Sequence, residues 1–119
     1  MNTEAAKKLW QSMAARFSEM EIPTAADDFT MKIITENEMC RPGQRVLDVG
    51  CGAGRYAIAL DKLGMQVTAT DFSEEMLAAA KNCAAAHQTK NITFSCDDWL
   101  HMDIREKGWE NQFDLVLCN

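Results

Sequence analysis

A buried-strand pattern that runs directly into three alternating glycines dominates this sequence. Residues 46–49 form a short apolar run, as expected of a strand inside a sheet, and Gly50, Gly52 and Gly54 follow where the next helix should begin. Glycine permits positive φ and a close approach of ligand to main chain, while a helix start offers free N–H donors and partial positive charge. We therefore predict a ligand-binding loop, with the Asp48 carboxylate beside it.

Strand and helix patterns alternate along the rest of the chain. Four short runs with strand character are separated by crossovers that are long enough for right-handed returns, which predicts a parallel sheet with helices on both faces. The last crossover is predicted to be either a helix or an irregular segment. The predicted strands are Val46–Val49, Met65–Thr70, Asn91–Cys96 and Phe113–Cys118, and the helices between them begin near Arg55 and at the cap Ser73.

Two further helices are predicted before the first strand. Apolar residues recur at three- and four-residue steps from Thr3 to Met20, which predicts an amphipathic helix with one buried face that ends before Pro23. Thr24 and Asp27 have the spacing of a capping box, so the second helix is predicted to start there and to continue past Phe29 to Met39. The apolar positions of the first helix are Leu9, Trp10, Met13, Ala14, Phe17 and Met20.

Composition narrows the classes of function. The 119 residues, 47% of them hydrophobic, suffice for one domain, and the formal charge of −6 has the wrong sign for a surface that neutralises phosphates, so no nucleic-acid contact is expected. Five cysteines without a C-x-x-C pair predict reduced thiols rather than disulfides or a metal site. Because neither a membrane-length apolar run nor a leader is visible, we predict a cytoplasmic protein.

Two ligands fit the glycine loop. Residues 52–57 satisfy the dinucleotide pattern G-x-G-x-x-G/A, and Asp71 lies at the expected distance downstream, so a nicotinamide-dependent oxidoreductase is one interpretation. The longer unit Asp48-x-Gly50-x-Gly52-x-Gly54 resembles motif I of the class I S-adenosylmethionine-dependent methyltransferases. That pattern is more specific, and it makes a methyltransferase the first hypothesis. A non-catalytic binding module with the same fold is the third.

The resemblance implies a Rossmann-like sheet of order 3-2-1-4 within this chain. The complete family fold has seven strands, so the chain corresponds to an N-terminal, cofactor-binding half, with N-terminal helices over residues 1–41 and the cofactor-binding part over residues 42–119. The fourth strand is then a bare edge. Since an apolar edge invites pairing with another chain, we expect self-association through Phe113–Cys118.

The resemblance also implies a set of contacts to S-adenosylmethionine and its product S-adenosylhomocysteine. Gly50, Gly52 and Gly54, with Asp48, approach the methionyl end and the ribose. Asp71 follows the second strand and accepts hydrogen bonds from the ribose hydroxyls. Cys51 lies inside this loop as a small packing residue, because methyl transfer from a sulfonium needs no enzyme nucleophile.

Contacts to the adenine and the methyl group are implied further along the chain. Phe72 flanks the adenine, Asp97 accepts a hydrogen bond from its amino group, and Trp99 covers the ring. Asp98 makes this turn a double acid, unlike the family pattern, and leaves open which carboxylate faces the base. Asn119 follows the fourth strand, beside the transferred methyl group. The methyl acceptor and any general base remain unassigned, no metal is expected, and the isolated chain is expected to have little or no turnover.

Overall fold

The computed structural model describes residues 3–118, without the side chains of residues 7, 10, 11, 13–15 and 18. Four parallel strands form one sheet of order β3-β2-β1-β4, which confirms the predicted fold class and strand order. The elements are α1 (Thr3–Glu19), α2 (Phe29–Glu36), β1 (Arg45–Val49), α3 (Arg55–Lys62), β2 (Gln66–Asp71), α4 (Glu74–Ala86), β3 (Ile92–Cys96) and β4 (Leu115–Cys118).

Strand β1 lies at the centre of the sheet, between β2 and β4. Its alternation separates the two faces: Val46 aligns with Val67 and Leu115, and belongs to the main hydrophobic core. The next residue, Leu47, aligns with Thr68 and Val116 on the opposite face. The sheet therefore has one apolar face and one mixed face, and all four strands end at the same edge.

The helices pack on the apolar face. Leu60 of α3 and Leu77 of α4 belong to the same core as Val46 and Val67, and α1 packs along α4 through Phe17. The sequence predicts helices on both faces of the sheet, but among the described residues the helices lie on the apolar face only. Among residues 97–114, the structure describes turns and no helix, so the second face is covered by an irregular crossover.

The start of α2 differs from the predicted capping box. Thr24 donates to the Asp27 carboxylate from its N–H (2.9 Å) and its hydroxyl (3.0 Å), but these bonds close a turn that does not continue as a helix. Asp28 is the N-cap instead, with extended backbone and its side chain accepting from the Met31 N–H. The helix ends at Glu36 rather than Met39.

Three apolar residues of the predicted N-terminal helices are exposed. Phe29 at the start of α2 is 77% exposed, Leu9 on α1 is 55% exposed, and Met39 lies beyond the end of α2. Of the predicted buried face of α1, the side chains of Trp10, Met13 and Ala14 lie outside the described residues, while Phe17 packs against the core. In the described part of the chain, no helix is long and apolar enough to cross a membrane.

Candidate ligand-binding site

The glycine loop is tied to the end of β2 by main-chain hydrogen bonds. The N–H groups of Gly50 and Cys51 both donate to the Thr70 carbonyl, at 2.8 and 3.0 Å. The next N–H, that of Gly52, donates to Oδ2 of Asp71 at 3.0 Å. Three successive donors of the loop are therefore already bonded within the protein, and they fix the loop against the carboxyl end of β2.

Gly54 is the N-cap of α3, and its backbone conformation favours glycine. Its φ of +86° lies in the left-handed region, and a Cβ at this position would lie 3.4 Å from the Ala80 Cβ of α4. Gly52 also has positive φ, +55°, and a Cβ there would lie 3.6 Å from the end of the Met76 side chain. These glycines allow α3 to start close to α4, and their positive φ agrees with the prediction for the loop.

Asp71 joins the glycine loop to the start of α4. Its Oδ2 accepts from Gly52, its Oδ1 accepts from the Ser73 N–H at 3.0 Å, and only 9% of the residue is exposed. Capping of α4 itself falls to Ser73, whose hydroxyl accepts from the Met76 N–H at 3.2 Å. Because each carboxylate oxygen has more than one acceptor position, Asp71 is held in a fixed orientation and retains capacity to bind a ligand hydroxyl.

A cavity of about 450 Å³ opens beside this loop at the carboxyl edge of the sheet, and we call it the acidic cavity. Its size suits a small-molecule ligand. Six predicted site residues line the acidic cavity. The structure adds Val49, which precedes the glycine loop, and Leu100 of the crossover, neither of which the sequence analysis singled out. The lining is Val49, Gly50, Asp71, Phe72, Asp97, Asp98, Trp99 and Leu100.

Five predicted site residues do not line the acidic cavity. Gly52 and Gly54 shape the loop behind it, and Asn119 lies outside the described residues. Asp48 is fully buried in β1, aligned with neighbouring strands rather than exposed to a ligand. Cys51 is 8% exposed, and burial, followed by the charges of Asp48 and Asp71, raises the pKa of its thiol to about 12. The thiol therefore stays protonated, which agrees with a packing role.

The two adjacent acids, Asp97 and Asp98, have different environments. Asp97 is 7% exposed, and its Oδ2 accepts from the Thr70 hydroxyl at 2.7 Å while its Oδ1 lies 2.8 Å from the Lys107 ammonium. Burial alone would raise the pKa of Asp97, but hydrogen bonds from Lys107, Ser95 and Thr70 outweigh it and lower the pKa. Both oxygens of Asp97 are engaged by the protein itself.

Asp98 is the more accessible acid. Its side chain is 58% exposed, with Oδ2 2.7 Å from Nδ1 of His101 and Oδ1 accepting from the Leu100 N–H at 3.0 Å. The hydrogen bond with His101, and then that from Leu100, lower the pKa of Asp98. Asp98 is therefore ionised at neutral pH and open to solvent at the mouth of the acidic cavity.

Two aromatic side chains provide apolar surface in the acidic cavity. Phe72 is 79% exposed, so one of its faces is open to a ligand. Trp99 stacks on Trp109 with ring centroids 6.1 Å apart, and its buried Nε1–H has no hydrogen-bond partner among the described residues. An acceptor on a ligand would satisfy that donor.

The charge of the acidic cavity selects against anionic ligands. Three carboxylates, those of Asp71, Asp97 and Asp98, line it, and none of the described lining residues is basic. A pyrophosphate would be repelled, and the loop N–H groups that bind it in dinucleotide sites are bonded here to Thr70 and Asp71. A cation that also carries hydroxyl and amino donors matches the lining. Across residues 3–118, no cluster of His, Cys, Asp or Glu could hold a metal ion.

Comparisons with known proteins agree on one family. A family model described as a methyltransferase domain matches residues 41–119. A ubiquinone biosynthesis O-methyltransferase from Coxiella burnetii is 40% identical over 83 residues, which cover 70% of this chain and 33% of that protein. A 23S rRNA (uracil(1939)-C(5))-methyltransferase, RlmD, from Shewanella is 36% identical over 66% of this chain and 17% of its own length. The chain thus spans a third or less of these relatives.

Solved structures give the same result. A TehB-like SAM-dependent methyltransferase from Corynebacterium glutamicum superposes with a TM-score of 0.59 at 25% identity, covering 98% of this chain and 53% of that one. A ribosomal protein L11 methylase from Lactobacillus delbrueckii subsp. bulgaricus superposes with a TM-score of 0.59 at 35% identity, over 74% of this chain and 42% of the other. The nicotinamide-binding alternative is not favoured.

Proposed function

Because this chain belongs to the class I S-adenosylmethionine-dependent methyltransferases, we propose that it binds S-adenosylmethionine in the acidic cavity and holds it for methyl transfer. The observation that carries the proposal is Asp71, which orients the glycine loop through Gly52 and the start of α4 through Ser73 while lining the cavity. A carboxylate fixed by two main-chain donors is suited to accept hydrogen bonds from a ribose diol.

The other contacts follow from charge and exposure. Asp98 accepts from the adenine amino group, because its side chain is 58% exposed whereas that of Asp97 is 5% exposed. Phe72 and Trp99 provide the apolar walls for the ring. The proposal thus moves the adenine amino contact from Asp97 to Asp98, and it leaves the methionyl end to Gly50 and the loop behind it.

The bound cofactor would supply an activated methyl group on its sulfonium. Transfer of that group is an in-line displacement, so the residues of this chain contribute by orienting the donor and excluding water. We propose no catalytic residue, and little turnover by this chain alone. The acceptor class is open, because the relatives act on different kinds of substrate. The proposal retains the division into N-terminal helices (1–41) and a cofactor-binding part (42–119).

Calorimetric titration of S-adenosylhomocysteine into this chain tests the proposal. Asp71→Asn removes the charge while keeping the shape, and we expect affinity to fall about 10- to 100-fold, the range of a hydrogen bond to a charged group. Asp61→Asn is the matched control, since Asp61 also accepts from two main-chain N–H groups, those of Lys90 and Asn91, but does not line the acidic cavity.

Three outcomes are informative. Tight binding that Asp71→Asn weakens and Asp61→Asn leaves unchanged supports the proposal. Equal losses in both variants would mean that Asp71 acts only on the fold. Preferential binding of NAD over S-adenosylhomocysteine would contradict the proposal and revive the oxidoreductase hypothesis.

We also propose that the chain self-associates through β4, and that it makes no contact with nucleic acid. Strand β4 pairs only with β1 among the described residues, and Val116 on it is 59% exposed. The formal charge of −6 disfavours contact with phosphates. Sedimentation equilibrium of wild type and Val116→Lys tests the self-association, because a lysine on an edge strand opposes pairing. A monomeric wild-type chain at high concentration would exclude it.

A further inference from the structure

The wall of the acidic cavity formed by Asp98, Trp99 and Leu100 belongs to a crossover without a helix. Residues 97–114 contain turns and no helix, so this wall is held by individual turn bonds, such as those from the His101 and Met102 N–H groups to the Asp98 carbonyl. Its link to the sheet includes the main-chain bond from the Asp97 N–H to the Asp71 carbonyl at 3.1 Å and the side chain of Lys107.

Lys107 connects three groups. Its ammonium nitrogen lies 2.8 Å from Oδ1 of Asp97, donates to the Ser95 hydroxyl at 2.8 Å, and sits 4.9 Å from the ring centroid of Trp109. Its side chain is only 34% exposed, whereas that of Asp97 is 5% exposed. Ser95 is on β3, so Lys107 joins the far end of the crossover to the carboxyl edge of the sheet.

We propose that Lys107 is a positioning residue for cofactor binding, which holds the wall Asp98–Leu100 in place by fixing the carboxylate of Asp97. The inference rests on the proposed function and extends it to a residue that does not line the acidic cavity. Asp97 immediately precedes the wall, and its second oxygen accepts from Thr70 of β2. The contact from Lys107 to Asp97 therefore sets where the wall begins.

The electrostatics explain why a cation is needed at this position. A buried carboxylate without a partner is costly, and it is relieved by moving toward water. Water is nearest in the acidic cavity, which Asp97 lines, so loss of Lys107 would draw the Asp97 side chain toward the place of the ligand. Lys107 also contacts Trp109, on which Trp99 stacks, so the same side chain supports the aromatic part of the wall.

The first test compares Lys107→Met with Lys107→Arg and with Lys32→Met. Lys32 is an exposed lysine of α2, so its replacement removes one positive charge elsewhere. We expect Lys107→Met to weaken S-adenosylhomocysteine binding about tenfold at a temperature where all the variants are folded. Lys107→Arg should restore most of the affinity, and Lys32→Met should match wild type. Lower thermal stability with unchanged affinity would reduce Lys107 to a structural residue and overturn the inference.

The double variant Lys107→Met with Asp97→Asn separates positioning from packing. Removing both partners leaves no unpaired buried charge, so Lys107→Met should weaken binding much less in an Asp97→Asn background than in the wild-type background. If Lys107→Met weakens binding by the same factor in both backgrounds, the carboxylate of Asp97 is not the link, and the inference fails.

A ligand-independent measurement keeps this inference separate from the proposed function. The Leu100 N–H donates to Oδ1 of Asp98 in the wild-type wall, at 3.0 Å. Hydrogen exchange of a peptide that covers the wall should be about tenfold faster in Lys107→Met and unchanged in Lys32→Met. If wild type fails to bind S-adenosylhomocysteine, the proposed function is wrong, and exchange still decides the inference. Unchanged exchange in Lys107→Met would contradict it.

Discussion

The two faces of the sheet are stabilised in different ways. On the helical face, Ile58 and Leu60 of α3 are fully buried, and Val67 and Ala69 of β2 are at most 2% exposed. On the other face, the crossover supplies an aromatic group, in which Trp109 contacts Trp99 and Phe113 with ring centroids 6.1 Å from each. This group borders a cavity of about 320 Å³, and Val116 beside it is 59% exposed. One face of the sheet is buried in a packed core, whereas the other is only partly covered by the crossover.

The difference assigns stability and binding to different parts of the molecule. Packed apolar surface holds α3 and α4, whereas polar contacts of Asp97 with Thr70 and Lys107 tie the crossover to the carboxyl edge of the sheet. Segments with few buried apolar contacts open locally at lower free energy than core elements. We therefore expect the helical face to respond to mutation with global unfolding and the crossover to respond with altered binding.

The largest expected effect is on the helical face. Leu60→Ala removes a side chain that is 0% exposed and should lower the free energy of unfolding by about 2–5 kcal/mol, through lost burial and a cavity. Val116→Ala, on the partly covered face, should cost no more than about 1 kcal/mol. Urea denaturation followed by circular dichroism measures both. Similar losses would show that the two faces contribute alike.

Glycines of the two faces give the next contrast. Gly54 and Gly108 both have positive φ, +86° and +72°, so an alanine should cost about 1–2 kcal/mol at either from backbone strain. A Cβ at Gly54 would also lie 3.4 Å from Ala80, whereas one at Gly108 would meet nothing within 4 Å. We expect Gly54→Ala to cost about 1 kcal/mol more than Gly108→Ala in urea denaturation. Equal costs would mean that α4 shifts at Ala80 to make room for the added Cβ.

The helical face and the glycine loop could be predicted from the sequence because their signals are local. The apolar run of β1, the positive φ of the motif glycines and the Ser73 cap each depend on neighbouring residues, and each is confirmed by the structure. The predicted cap of α2 is wrong because Asp28, unlike Thr24, also accepts from the Tyr56 hydroxyl at 2.8 Å. That contact spans 28 residues and leaves no spacing signal.

The crossover could be predicted only in part, for the same reason. The double acid at Asp97 and Asp98 is visible in the sequence, but the pairing of Asp97 with Lys107, ten residues further along an irregular segment, is not. No periodicity relates these positions, because turns have none. The division of labour between adjacent acids therefore appears only in three dimensions, and the role of each toward a ligand stays a prediction.

The dependence of stability on pH should separate the crossover from the core. Since the folded-state pKa of Asp97 is lowered, its contribution is fully present above its unfolded pKa of about 3.9 and is lost as pH falls through the lower folded value. In Lys107→Met, burial then raises this pKa, so stability falls as pH rises toward 7. We expect Lys107→Met to cost about 1–2 kcal/mol at pH 7 and progressively less below pH 4, by urea denaturation. A cost independent of pH would argue against the ion pair.

The smallest expected effect is that of labelling the cysteine thiols, which reports which of them are exposed and leaves the fold unchanged. Cys40, Cys51 and Cys83 lie in the core under the helices, and burial raises the pKa of each, to about 12 for Cys51. Cys96 and Cys118, at the ends of the two edge strands, are exposed.

Because the thiolate is the reactive form, iodoacetamide at pH 8 should label the two exposed cysteines and leave the other three unmodified in the native protein. Mass spectrometry of the digested protein measures this, and all five should react in urea. Labelling of Cys51 in the native state would mean that the glycine loop opens on the time scale of the reaction, and the contrast between a closed core and an open crossover would then not hold at the loop.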